Sequence, residues 1–344
     1  MKKIITVIAA LSLALIPLAA CQNINPDNSN VLTIKTTVYP IVEFTKRIGG
    51  DAVDVQSVFA NGSDSHIYDP TPQEIVDLND ADLFLNIDIG DYHTITEKLK
   101  AAAPNLEFVD VAAGVATIEG GHNHDHDHNE SEANHDEEHD HDHNESEANH
   151  DEEHDHDHDE SEASHDEEHN HEFDPHIWLD PVRASFMAEN IKNELVRKLP
   201  DQAAAFEANF ETLKTELATL NDEFSTGLEP YAEDTFFVTH AAYGYLADEY
   251  HLNQVALSGF TGDSELSSAQ LVEIADELKA HNTQYILAEK NVSNKQADVL
   301  ANELDISTLP IYNLETLTQA EIDGGQTYFT LMRENLKNLQ AALK

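Results

Sequence analysis

A fifteen-residue phrase, His124-Asp-His-Asp-His128-Asn-Glu-Ser-Glu-Ala-Asn-His135-Asp-Glu-Glu138, recurs at 139–153 and, slightly altered, at 154–168. From His122 to His171 the chain places 15 of its 21 histidines and not one Lys or Arg. So little apolar surface cannot offset the entropy of ordering a chain, so this stretch belongs to no packed core. Whatever folds must be assembled from the residues on either side. Imidazole and carboxylate at this density are ligands for borderline divalent metals. His124, His126, His128, His139, His141, His143, His154, His156 and His158 are therefore expected to form weak secondary metal sites. A solvated spacer without a role is the plainer reading.

The N-terminus bears on the compartment. Lys2 and Lys3 precede an apolar run from Ile4 to Pro17 that is short for a membrane span, which predicts a signal peptide over 1–20. Leu18-Ala19-Ala20-Cys21 resembles a bacterial lipobox, implying a lipidated Cys21 that binds the bilayer and a polar tether over 21–30. Cys21 is the only cysteine, so no intramolecular disulfide or cysteine-based zinc site can form. Outside 122–172 the chain still carries 44 acidic residues against 18 basic ones. That balance lacks the clustered cations that phosphate contacts need, so no nucleic acid is expected as a partner.

Strand and helix patterns alternate through the remaining residues, about 260 in number and enough for two ordinary domains. Short β-branched or apolar runs fall at 31–38, 53–58, 81–87, 107–111, 235–239, 253–257, 285–288 and 307–312. Helical patterns separate them, and a long one runs from Pro181 to about Leu228 with a bend or break at Pro200. Phe206, Phe210, Leu213, Leu217, Leu220 and Phe224 form an amphipathic stripe on its second part. The expectation is an α/β chain of two lobes, each with a four-stranded parallel sheet, joined by a long helix. The boundaries follow: an N-terminal lobe over 31–190 carrying the repeat loop at 120–172, a linking helix over 191–230, and a C-terminal lobe over 231–344.

Six histidines lie outside the repeats. Ligands of open α/β sheets bind beyond the carboxyl ends of strands, where His66, His176 and His240 fall. His66 stands in Gly62-Ser-Asp-Ser-His-Ile-Tyr-Asp-Pro-Thr-Pro72, His176 in Asp174-Pro-His-Ile-Trp-Leu-Asp-Pro181, and His240 in Thr239-His-Ala-Ala-Tyr-Gly-Tyr245. Prolines stiffen the first two segments, as a fixed coordination geometry requires. His93 reads as part of a helix start, and His251 and His281 close helices, where a cation meets the negative dipole end. Glu315 and Glu289 each follow a late strand and are the two candidates for a carboxylate ligand.

These three motifs resemble the metal-binding lipoproteins of bacterial ABC importers, the cluster A-I or cluster 9 family, and within it the zinc-uptake branch. The resemblance runs from Thr33 to the C-terminus. It implies that His66, His176 and His240 bind Zn²⁺, with Glu315 preferred over Glu289 as fourth ligand. A third histidine, where manganese-binding members carry a carboxylate, points to zinc. Ser65 stands where some Gram-negative members carry a carboxylate beside the first histidine, which counts against that variant. The resemblance further implies a monomeric receptor delivering its ion to a permease and ATPase. It implies too that the additional C-terminal zinc-binding domain of some streptococcal members is missing.

Three imidazoles and a carboxylate suit tetrahedral Zn²⁺ and leave no open position for catalysis. Ordinary histidines would lose the ion below a pH of about 6.5. The rivals are a manganese-binding homologue, a surface zinc buffer or adhesin working through the repeats, and a metalloprotease. The last rests on His135-Asp-Glu-Glu138-His139, an H-x-x-E-H pattern set in sequence that supplies no packed helix.

Overall fold

A computed structural model describes residues 31–63, 65–66, 68–118, 173–259, 266–290 and 294–344. The expected signal peptide, the tether with Cys21 and the repeat histidines lie outside the described residues, as does the protease-like pattern.

Two four-stranded sheets, parallel throughout, carry the fold. The first contains β1 (Leu32–Thr36), β2 (Val53–Ser57), β3 (Leu83–Asn86) and β4 (Phe108–Asp110) in the order β2-β1-β3-β4. The second repeats that order as β6-β5-β7-β8, with β5 (Thr235–Val238), β6 (Asn253–Ala256), β7 (Tyr285–Glu289) and β8 (Ser307–Ile311). Seven of the eight strands fall within the apolar runs read from the sequence, and β7 runs one residue further, to Glu289. The chain order reverses between β1 and β3, and again between β5 and β7. Such switch points open a crevice beyond the strand ends.

Both faces of these sheets are covered. Phe236 and Val238 point into a large core that also takes in the first sheet. Phe237 between them points the other way, into a smaller cluster with Ile274 and Leu300. That alternation is the two-residue period of a strand, with apolar residues on both faces because helices pack on each side. The helices of the smaller cluster are α7 (Ser268–Ala280) and α8 (Lys295–Leu304).

The expected linking helix over 191–230 is two helices. α4 (Pro181–Lys198) ends just before Pro200, a single 3₁₀ turn follows, and α5 (Ala203–Leu228) begins. Pro200 lacks an amide hydrogen and disfavours helical backbone in the residue before it, so the helix stops there. α5 buries all six residues of the predicted stripe. Phe224 is fully buried and stacks on Tyr250 at 5.4 Å. Truncating Phe224 to alanine is expected to cost about 3–5 kcal/mol in chemical denaturation, whereas a loss under about 1 kcal/mol would mean α5 is not part of the core. No helix among the described residues is long and apolar enough to cross a membrane.

Candidate metal centre

Three connections deliver the histidines. His66 lies in the loop after β2, whose exit is fixed by a capping box between Thr71 and Glu74 at the start of α2 (Pro72–Asn79). His176 precedes the 3₁₀ turn Ile177–Leu179, which leads to α4, where Asp180 caps the helix by accepting from Val182 and Arg183 amides. His240 follows β5 after one residue, Thr239. One ligand nitrogen from each of the three comes within 4.8 Å of the others. Their ring centroids are 5.8, 5.3 and 5.0 Å apart. The sequence distance between them, 174 residues from His66 to His240, disappears because the loop after β2, the turn before α4 and the end of β5 meet in the fold.

A carboxylate holds the outer nitrogen of every ring. His176 Nδ1 is 2.7 Å from Asp174 Oδ1, and His240 Nδ1 is 2.8 Å from Glu289 Oε1. His66 Nδ1 pairs with Asp91, the first residue of α3 (Asp91–Ala102). These partners occupy Nδ1, so Nε2 is the nitrogen each ring has left for a cation once any proton on it is released. Asp91 and Asp174 were not singled out from the sequence. Asp91 sits in the Asp91-Tyr92-His93 segment that reads as an ordinary helix start, yet its position after β3 puts it on the same crevice.

Glu315 lies between two of the rings. Its Oε1 is 2.9 Å from His66 Nε2 and 3.1 Å from His176 Nε2. It is 4% exposed and follows Leu314, which is forced into the left-handed region at φ 61°. A leucine there costs energy that the surrounding contacts must hold in place. Trp178 supplies one such contact, its Nε1 donating to the Asn313 carbonyl at 2.7 Å. Glu289, the alternative carboxylate, meets His240 at Nδ1. His93 pairs with Asp88 at 2.8 Å and lies outside the cluster. His251 adopts φ 57° after α6 (Gly244–Glu249), and His281 ends α7.

The enclosed charges change the protonation of the site. Burial works against the His176 cation, but the Asp174 charge and hydrogen bond, aided by Glu315, push its pKa up to about 9. Burial also opposes a charged His66, and Glu315 and Asp91 together still raise it well above the ordinary histidine value. Glu315 is itself disfavoured by burial, yet the His66 and His176 partners hold it well below the usual carboxylate range. The pH of about 6.5 expected from ordinary histidines is therefore too low for this pocket. At neutral pH His66 and His176 hold protons that a cation must displace.

Comparison with known proteins agrees with this architecture. Residues 34–342 match the family described as ZnuA, zinc-uptake complex component A, periplasmic. The zinc-binding lipoprotein AdcA of Streptococcus pneumoniae (strain ATCC BAA-255 / R6) is 34% identical over 342 residues, covering 99% of this chain and 61% of its own length. The chain thus spans about three fifths of that relative. The high-affinity zinc uptake system protein ZnuA of Bacillus subtilis (strain 168) is 32% identical over 94% of this chain and 93% of its own. Among solved structures, the Zn(II)-bound ZnuA-like domain of S. pneumoniae AdcA superposes with a TM-score of 0.68 at 28% identity, covering 91% of this chain and 99% of that one. The two-sheet fold, the three histidines at one crevice and the match over nearly the whole folded region lead to one assignment: the chain belongs to the ZnuA family of periplasmic zinc-uptake components.

Proposed function

We propose that this chain is an extracytoplasmic receptor that captures Zn²⁺ through His66, His176, His240 and Glu315 and delivers it to an ABC-type permease for import. The observation that carries the reading is the approach of one ligand nitrogen from each of three histidines to within 4.8 Å of the others, with a carboxylate behind every ring and Glu315 against His66 and His176. Zn²⁺ bonds of about 2.0–2.1 Å set tetrahedral ligand atoms about 3.3 Å apart, close to the spacing of Glu315 Oε1 from His66 and His176. Nitrogen donors in the majority favour zinc over manganese, which suits carboxylate and carbonyl oxygen.

Four protein ligands leave no position for a reacting water, so the pocket holds its ion and gives it up. In this reading Cys21 carries the lipid anchor and the receptor works as a monomer beside its permease and ATPase. The repeats from His122 to His171 capture zinc weakly at many positions and raise its concentration near the cleft. Equilibrium dialysis of protein lacking 122–171 tests both parts. One tightly bound zinc should remain while the weak sites disappear. Loss of nearly all binding would make the repeats themselves the functional element and overturn the receptor reading.

A further inference from the structure

The two oxygens of Glu315 are treated differently. Oε1 faces His66 and His176, while Oε2 turns away and accepts a hydrogen bond from Ser65 Oγ at 2.7 Å. Tyr92 OH lies 3.0 Å from the same Ser65 oxygen. An ionised carboxylate can only accept, and serine has a single hydroxyl proton. Ser65 therefore gives its proton to Glu315 and leaves its oxygen lone pairs to Tyr92, whose hydroxyl also hydrogen-bonds Glu315 directly. Ser65 and Tyr92 are fully buried and Glu315 nearly so. The Glu315 backbone is fixed as well, its carbonyl accepting from Tyr39 N at 2.9 Å and its amide donating to Asn313 Oδ1 at 3.1 Å.

A carboxylate with both oxygens available can bind a cation through either one or two. Two-oxygen binding adds a fifth donor and more oxygen character, which a manganese ion accepts readily and tetrahedral zinc does not require. We infer that Ser65, held by Tyr92, is a specificity-determining residue: it withholds Oε2 of Glu315 from the ion, keeps the carboxylate a one-oxygen ligand, and so restricts the pocket to four donors. This inference rests on the ligand set proposed above. It gives a role to a serine that stands beside the first histidine and reaches the ion only through another side chain.

Cobalt(II) reports coordination number directly, because tetrahedral sites absorb visible light strongly and five- or six-coordinate sites weakly. The full chain is titrated with less than one equivalent of Co²⁺, so that the tightest site fills first, and the ratio of zinc to manganese affinities is measured alongside. Wild-type protein should give the intense tetrahedral spectrum. Ser65→Ala should weaken it and lower the zinc-to-manganese ratio roughly 10–100-fold, the range seen when a partner of a ligand is removed. Tyr92→Phe, which leaves the serine hydroxyl in place, should move both readouts the same way by less. A Ser65→Ala protein with the wild-type spectrum and ratio would overturn the inference even if it bound zinc more weakly or melted earlier, because such losses fit a purely structural serine. Should Ser65→Ala fail to fold, unchanged readouts in Tyr92→Phe overturn it equally. A wild-type protein without the tetrahedral spectrum removes the ligand set itself, and this inference with it.

Discussion

Alanine in place of His240 is expected to abolish tight zinc binding, with a fall in affinity beyond the roughly 10–100-fold typical of losing a ligand's partner. The substitution removes one of four donors and cannot be compensated locally, since Glu289 already lies behind the missing ring. Thermal shift gives a second readout. A ligand at about 1,000 times its dissociation constant stabilises the native state by about 4.1 kcal/mol. At about 2–4 °C per kcal/mol, wild-type protein should melt about 8–16 °C higher with zinc, and the variant should not respond. Alanine also leaves the buried Glu289 carboxylate without its imidazole, so the metal-free variant loses stability too. Adding Glu289→Gln should restore much of that stability without restoring zinc binding. Retention of one tight zinc by His240→Ala would contradict the proposed site.

The second large effect is in pH. Zinc requires neutral imidazoles, and His176 releases its proton only near a pH of about 9. His66 is likewise raised well above the ordinary value. Apparent zinc affinity should therefore climb steeply between a pH of about 6.5 and 9, with one to two protons released per ion bound, roughly a tenfold gain per pH unit for each proton. Calorimetry in buffers of different ionisation enthalpy counts those protons. The metal-free protein should show the opposite trend. A histidine whose folded pKa is raised stabilises the fold fully below the unfolded value and loses that contribution as pH rises through about 9. A profile flat above pH 6.5 would show that the enclosed carboxylates do not hold protons on these rings.

The outline of the protein was legible from the sequence because its signals are periodic. Alternating β-branched runs marked eight strands, and the stripe from Phe206 to Phe224 marked α5. The histidines could be grouped since each follows a strand or leaves the last strand of a sheet, and strand ends of a parallel sheet share one edge. What could not be read were contacts made by topology alone. Asp91 looks like any helix-starting acid, and nothing in the local sequence pairs it with His66, 25 residues earlier. The same holds for Ser65 and Glu315, separated by 250 residues and joined by one hydrogen bond. Glu289 and Glu315 are indistinguishable as strand-end carboxylates until the folded chain puts one behind a ring and the other between two.

Collecting diffraction data on either side of the zinc absorption edge, from the zinc-loaded chain, examines the central claim most directly. The account predicts one strong anomalous peak in the crevice, with bonds of about 2.0–2.2 Å to Nε2 of His66, His176 and His240 and to one oxygen of Glu315. A principal peak elsewhere, or those side chains turned toward different parts of the molecule, would contradict it.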